Sequence, residues 1–243
     1  MASNALLAKL NAARERLKRA SALVKDLQRG EAWNELQAAR ADLNDLEREV
    51  ALADGLECAI ACPTIPLWDL GAPMPTLVSG ISGIALVYAA KSDPKSDGAS
   101  LRAAKEDETW KEVPLSESPT LDNLPASEAW PRGVVVLRFV HPAAVKLGSP
   151  NGEVLDGHPL SGKGLAAYRP HTIVNSSWIR ELRQINSVHV NYDAKRWDAF
   201  THYLLTFHDE TFECIAESVK VELRAGSIAD AARAVLEEVL GPK

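Results

Sequence analysis

HYLLTFHDETFECIAE, residues 202–217, is the stretch around which the rest of the sequence is organised. Aromatic and branched residues on both sides of Asp209 and Glu210 predict two β-strands joined by a tight polar turn. Because side chains alternate along a strand, the two strands share one apolar face. With the turn at Asp209 and Glu210, that face pairs Phe207 with Phe212, Leu205 with Cys214 and Tyr203 with Ala216. We predict that this hairpin forms the centre of the core.

The opposite face of the predicted hairpin is polar at both ends. The same register places His202 opposite Glu217 and Thr206 opposite Glu213. A slip of one residue would bring both glutamates onto the apolar face, so we predict that the pattern fixes the register. Cys214 lies on the apolar face, which predicts a buried and inert thiol.

Composition limits the class of protein. The chain has 243 residues and a net charge of −6, which argues against nucleic-acid binding as the main function. It contains no apolar run near the ~20 residues that span a bilayer, and no secretory signal at the N-terminus. Its three cysteines, Cys58, Cys62 and Cys214, suit a reducing compartment. We therefore expect a cytoplasmic bacterial protein with no nucleic-acid partner and no membrane association.

Residues 3–53 carry two sets of heptad-spaced apolar residues whose registers do not join. Gly30 stands at the break, where a helix commonly ends. The pattern predicts a coiled-coil-like hairpin of two antiparallel helices over residues 1–54, with a second domain over 55–243. Two interpretations stay open. The hairpin is an arm that docks on a protein partner or forms a homo-oligomer, or it packs on its own domain.

The second domain has both strand and helix patterns. We predict strands near 84–90, 108–113, 133–140, 202–208 and 211–223. Helices are predicted near 177–188, capped by Ser176 or Ser177, and near 227–240. The fold class is therefore α+β, a helical hairpin followed by a mixed domain with a mostly antiparallel β-sheet and a C-terminal helix.

Four segments carry a resemblance to a known family. They read GAPMP (71–75), HPLSGKGL (158–165), NSSWIRELRQINSVH (175–189) and HYLLTFHDETFECIA (202–216). In this order they resemble a family of bacterial proteins of unassigned function that carry HP-L, SSW, N-VH and TFHD-TFEC patterns. The resemblance covers roughly residues 65–217 and implies that these segments form one domain, but it implies no activity and no catalytic residue.

Histidine and glutamate are the residue types that offer chemistry in this sequence. A histidine beside a carboxylate is suited to general acid–base catalysis near neutral pH. Two more histidines stand in or near the glycine-rich segment 157–164, which lacks the Ser or Thr of a phosphate-binding P-loop at Gly164. The candidate catalytic residues are His208, Glu213, His202, Glu217, His158 and His171. We predict no metal and no cofactor, because no ligand pattern such as HExxH is present.

The predicted function rests on a helical arm joined to a domain in which no catalytic set converges by spacing alone. We expect a non-catalytic protein-binding or adaptor protein that uses the arm for self-association or docking. The alternative is a small hydrolase or metal-dependent enzyme with a His/Glu site on the polar face of the 202–217 hairpin.

Overall fold

The computed structural model describes residues 1–26, 31–68, 72, 74–91 and 133–240. The predicted α+β class is confirmed. The helices are α1 (Asn4–Asp26), α2 (Glu31–Ala53), α3 (Ser177–Asn186), α4 (Ala194–Trp197) and α5 (Ile228–Leu240), with a 3-10 helix at Gly152–Gly157. The strands are β1 (Cys58–Ala61), β2 (Thr76–Gly80), β3 (Gly83–Ala89), β4 (Val134–Val140), β5 (Ala144–Gly148), β6 (Pro170–Val174), β7 (Thr201–Thr206), β8 (Thr211–Ala216) and β9 (Ser218–Arg224). No helix in these ranges has both the length and the apolar character to cross a membrane.

Contacts divide the chain into two compact units. The first contains Met1–Ile65 and Phe139–Val219, and the second contains Pro66–Arg138 and Lys220–Lys243. The helical hairpin therefore belongs to the same unit as β1 and β5–β8. Whether residues 1–54 fold as an independent domain stays a prediction.

The second unit packs one helix on a four-stranded sheet of order β2-β3-β4-β9. Strand β3 is buried at five consecutive positions and β4 at four. Such continuous apolar strands are typical of the middle of a sheet. One face of the sheet packs against Ala231, Val235 and Val239 of α5. The helix begins after Ser227, whose hydroxyl accepts from the backbone N–H of Asp230.

The first unit contains a five-stranded sheet of order β1-β6-β7-β8-β5, in which all four neighbouring pairs are antiparallel. Its central hairpin, β7–β8, is the one that the sequence predicts. The apolar face of this hairpin packs against Phe139, whose ring lies 5.7 Å from Tyr203 and 5.2 Å from Phe212. The opposite face is covered by the segment that carries Leu155, Leu160 and Leu165.

The register of the hairpin differs from the prediction by two residues. Leu205 pairs with Phe212, Tyr203 with Cys214 and His202 with Ile215. The connection spans residues 207–210 and is closed by a hydrogen bond from Phe207 N to Glu210 O, 2.8 Å. A shift of two residues leaves every side chain on its predicted face but changes its cross-strand partner. The predicted pairing of His202 with Glu217 is therefore wrong.

Other predicted elements have mixed outcomes. Strands near 84–90 and 133–140 and helices near 177–188 and 227–240 are confirmed as β3, β4, α3 and α5. The strand predicted near 108–113 lies outside the described residues. The single strand predicted near 211–223 is wrong, because the chain leaves one sheet after Ala216 and enters the other at Ser218. The short strands β1, β2, β5 and β6 were not among the predicted elements.

Helices α1 and α2 pack side by side, as the heptads predict. Five of the six described side chains that are buried in α1 and α2 occupy heptad-spaced apolar positions, namely Leu10, Ala13, Ala20, Leu36 and Ala39; the sixth, Ala51, does not. The end of α2 packs on its own unit, where the Asn44 side chain donates to Leu165 O at 2.8 Å. The break predicted at Gly30 lies outside the described residues.

Candidate functional site

A chain of three side chains joins the end of β6 to the β7–β8 hairpin. Ser176 Oγ lies 2.9 Å from His202 Nδ1, and His202 Nε2 lies 2.8 Å from Glu213 Oε2. Ser176 is 6% exposed and His202 is 3% exposed. Ser176 comes from the turn before α3, and the other two residues come from the two strands of the β7–β8 hairpin. We call this arrangement the Ser-His-Glu chain.

The shifted hairpin register places His202 beside Glu213. Leu204 is directly opposite Glu213, so His202 lies diagonally from it on the same face. Diagonal neighbours on a sheet are within reach of long side chains. The two residues were both predicted as site residues, but the predicted register separated them.

Ser176 is positioned by a sharp turn from strand to helix. Strand β6 ends at Val174, and Asn175 adopts a left-handed conformation with φ +53°. Asparagine tolerates this region better than most residues. Ser176 then caps α3, because its Oγ accepts from the backbone N–H of Ile179 at 3.1 Å. The sequence predicts a cap here but does not indicate that the same hydroxyl contacts His202.

The hydrogen bonds show which atoms of the Ser-His-Glu chain carry the protons. A carboxylate can only accept, so Glu213 accepts the proton that His202 carries on Nε2. In the neutral imidazole Nδ1 is then an acceptor, and the Ser176 hydroxyl donates to it while its oxygen accepts from Ile179 N–H. This order of donors suits proton transfer from the serine to the histidine, while the carboxylate accepts a hydrogen bond from the other ring nitrogen.

Glu213 remains a carboxylate at neutral pH. Burial acts to raise its pKa, but the hydrogen bond from His202 and the positive groups around it outweigh burial, so the pKa of Glu213 lies below the ordinary value. Lys146 on the neighbouring strand contributes, with Nζ 3.8 Å from Glu213 Oε1. Lys146 is directly opposite Glu213 in the β5–β8 pair.

Trp178 covers the imidazole from the side of α3. Its ring meets the His202 ring edge to face, with centroids 5.2 Å apart. Lys146 Nζ in turn lies 3.7 Å from the Trp178 ring centroid, a cation–π contact. The Trp178 helix therefore packs on the polar face of the hairpin, and Lys146 contacts both Trp178 and Glu213.

Next to Ser176, Ser177 binds a carboxylate. Glu57 Oε1 lies 2.6 Å from Ser177 N and 2.9 Å from Ser177 Oγ. The first turn of a helix favours negative charge because its N–H groups are unpaired within the helix. This position beside Ser176 therefore already holds a negatively charged oxygen.

His158 is the third predicted residue near this site. Burial lowers its pKa, while the charges of Glu213 and Glu57 act to raise it. His158 Nδ1 accepts from Leu160 N at 3.1 Å, so the neutral ring carries its proton on Nε2. The turn after it ends at Gly164 (φ +91°), where a Cβ atom would meet Ala59 O at 2.3 Å. This close approach explains the glycine where a P-loop requires Ser or Thr.

The other three predicted residues lie apart from the Ser-His-Glu chain. His208 bonds its neighbour Asp209 in the turn, at 2.7 Å, and both side chains are exposed. Glu217 bonds His141 Nδ1 at 2.7 Å. His171 is buried, and burial lowers its pKa to about 4; its Nε2 accepts from Ala166 N at 3.2 Å.

The described cysteines and possible metal ligands add no second site. All three cysteines are free and buried, and burial raises the pKa of the Cys214 thiol to about 12. Cys214 is therefore buried, as predicted from its strand face. In the described ranges, no group of three or more His, Cys, Asp or Glu side chains is arranged to hold a metal ion.

Comparisons with protein families, with curated proteins and with solved structures found no match for this chain. The resemblance through the HPLSGKGL, NSSW and TFHDETFEC segments stays a prediction. Among the described residues, the Ser-His-Glu chain and the helical hairpin are the features from which we propose a function.

Proposed function

We propose that this is a protein-interaction protein whose α1–α2 hairpin forms a homodimer. The observation that carries the proposal is the opposite charge of the two helices. Helix α1 contains six basic and two acidic residues, and α2 contains six acidic and two basic residues. The two helices therefore have net charges of +4 and −4.

Only part of this charge is paired within the hairpin. Arg16 bonds both Glu35 and Asp42, and Arg14 lies 3.8 Å from Glu47. Lys18 and Arg19 of α1 form no ion pair with another described residue. The same is true of Glu31 and Glu49 of α2. These groups are available to a second helix of opposite charge.

A shallow groove along the hairpin carries both signs of charge. We call it the mixed-charge groove; it is lined by Ala12, Ala13, Arg16, Arg19, Asp42, Asp45 and Leu46. A two-fold dimer requires a surface that is complementary to itself. A groove with one basic side and one acidic side meets this requirement. The alanines on its floor allow close approach of a second helix. A second copy of the chain is therefore the partner that this surface fits best.

Self-packing accounts for only one part of the hairpin. The end of α2 contacts its own unit at Asn44, whereas Leu7, Leu23 and Trp33 remain at least 40% exposed. Two helices alone cannot cover both faces of a hairpin. Dimerisation through the mixed-charge groove would build a four-helix arrangement with α1 of each copy against α2 of the other.

The mass of the intact chain in solution tests this proposal. We expect twice the 26.3 kDa of one chain by light scattering. Arg19→Glu should shift the mass toward the monomer, Asp45→Arg should do the same, and the double variant should recover the dimer because the charges are exchanged. Arg233→Glu on α5 is the matched control and should leave the mass unchanged. A wild-type monomer, or singles that remain dimers, would contradict the proposal.

Substitution is a better test than deletion of residues 1–53. Helix α2 contacts β1 within its own unit, so deletion would expose part of that unit as well as remove the groove. The groove variants change exposed charges only. We also propose a cytoplasmic location, which agrees with the three free cysteines.

The second candidate is the hydrolase that the sequence offered as an alternative. It is favoured by one observation, the convergence of His202, Glu213 and His158 on one face of the five-stranded sheet. Its metal-dependent form has no supporting observation in the described part of the chain. Its hydrolytic form gains Ser176, which the sequence indicated only as a helix cap.

A further inference from the structure

We propose that Ser176 is a nucleophile for acyl transfer, activated by His202 and Glu213, and that the substrate is a small carboxylic ester. The proposal is independent of dimerisation and gives a reaction to the second candidate function. It stands on the Ser-His-Glu chain, on the strand–turn–helix position of Ser176, and on the carboxylate held beside it at Ser177.

The direction of the hydrogen bonds is the first argument. A serine hydroxyl is a weak nucleophile unless an adjacent base takes its proton. Here the hydroxyl donates to the unprotonated Nδ1 of His202, at 2.9 Å. Glu213 holds the other ring nitrogen and remains a carboxylate, so it stabilises the imidazolium that forms. Both conditions for an activated serine are therefore met.

The site of Ser176 is the second argument. The residue stands between a buried strand and a helix, directly after the left-handed Asn175. The next residue supplies two donors, Ser177 N–H and Oγ–H, which now bind Glu57. A carbonyl oxygen that becomes negatively charged needs such donors beside the nucleophile. In the proposed reaction the carbonyl oxygen of the substrate takes the place of the Glu57 carboxylate.

The proposed reaction has an acylation step and a hydrolysis step. Ser176 Oγ forms a bond to the ester carbonyl carbon while its proton moves to His202 Nδ1. The bond from that carbon to the alkoxy oxygen breaks, and the alcohol leaves with the proton from His202. A water molecule then bonds to the acyl carbon and gives its proton to His202. The bond from that carbon to Ser176 Oγ breaks, and His202 returns the proton to Ser176 Oγ. The products are a carboxylic acid and an alcohol.

Burial determines the substrate class. Ser176 is 6% exposed, Trp178 packs edge to face on His202, and Lys146 lies over the Trp178 ring. We therefore expect the site to accept only a short acyl group, because a bulky one requires Trp178 to move. Acetyl esters should therefore react faster than long-chain esters. Ser176 and His202 are the catalytic residues in this scheme, and Glu213 is a positioning residue.

The test uses the full-length chain with 4-nitrophenyl acetate and a fluorophosphonate probe. We expect an initial burst of nitrophenol and probe attachment at Ser176, located by mass spectrometry. Ser176→Gly should abolish both, and glycine is well tolerated at a helix N-cap. His202→Gln preserves a donor and an acceptor but is no base, so it should reduce the rate by roughly a hundredfold.

Two variants complete the design. Ser187→Ala, which removes an exposed hydroxyl at the other end of α3, is the matched control and should keep both the burst and the probe at Ser176. Glu57→Ala should raise the rate, because it vacates the donors of Ser177. The proposal is overturned if wild type reacts no faster than Ser176→Gly. It is also overturned if His202→Gln reacts as fast as wild type. Either result counts when both variants unfold at the same temperature as wild type. If Ser176→Gly does not fold, the His202→Gln rate alone decides.

Discussion

Two histidine–carboxylate pairs within the same hairpin have nearly the same hydrogen-bond length but differ in burial. His202 and Glu213 are 2.8 Å apart with side chains 4% and 18% exposed, whereas His208 and Asp209 are 2.7 Å apart with side chains 54% and 44% exposed. The buried pair has a third hydrogen-bonded side chain in Ser176. Among the described residues the turn pair has none, and the His208 ring contacts Tyr168 with centroids 6.1 Å apart. Burial and connection to a third element therefore distinguish a candidate site from a surface contact. Hydrogen-bond length does not.

The largest difference between the pairs should appear when the histidine is removed. His202→Ala leaves Ser176 and Glu213 buried without their partner, so we expect a loss of about 3–4 kcal/mol in the free energy of unfolding. His208→Ala should change it by less than about 0.5 kcal/mol, because exposed pairs contribute little. Urea unfolding of both variants measures the contrast. Similar losses would show that burial does not separate the pairs.

A third histidine, His171, shows how burial changes the pKa of an imidazole that has no carboxylate partner. His171 lies 1% exposed on the same sheet face as His202, and burial lowers its pKa from 6.5 to about 4. Since the unfolded chain binds this proton more readily, the folded state loses stability as pH falls from about 7 to 4. The full loss is about 3 kcal/mol, from 1.36 kcal/mol per pKa unit.

His171→Gln isolates this effect. Glutamine can accept from Ala166 N–H as the ring does, but it does not titrate. Between pH 7 and 4, the wild-type free energy of unfolding should therefore fall more than that of the variant. Parallel pH profiles would mean that His171 is protonated in the folded protein at the same pH as in the unfolded chain.

The site was partly predictable because side chains alternate with period two. Alternation placed His202 and Glu213 on one face and Cys214 on the other, and the structure has them there. It could not select the partner of His202, because a shift of two residues preserves every face. The length of the turn determined that choice, and residues 207–210 form a longer connection than the two residues predicted.

Ser176 illustrates a different limit of sequence reading. Its signal was present as a polar residue directly before a helix, which predicts a cap. Its contact with His202 depends on β6 pairing with β7, which brings the end of β6 beside the start of β7. Because β6 begins at a proline and has only five residues, it lacks the pattern of a central strand. Long-range pairing also divided residues 211–223, because β8 pairs with β5 and β7 in one sheet whereas β9 lies beside β4 in the other.

The smallest predicted effect compares the carboxylates of the two pairs. Glu213→Gln keeps an acceptor for His202 Nε2–H but removes the charge, so we expect a loss of about 1 kcal/mol at pH 7. The pKa of Glu213 is below its ordinary value of 4.5, so the charge stabilises the fold above that pH and the benefit disappears as pH falls through the lowered pKa. Thermal unfolding from pH 7 to 3 should therefore show the wild-type advantage shrinking below pH 4.5. Asp209→Asn is the control and should match wild type within about 0.5 kcal/mol at pH 7. A Glu213→Gln variant as stable as wild type at pH 7 would mean that the buried carboxylate contributes no more than the exposed one.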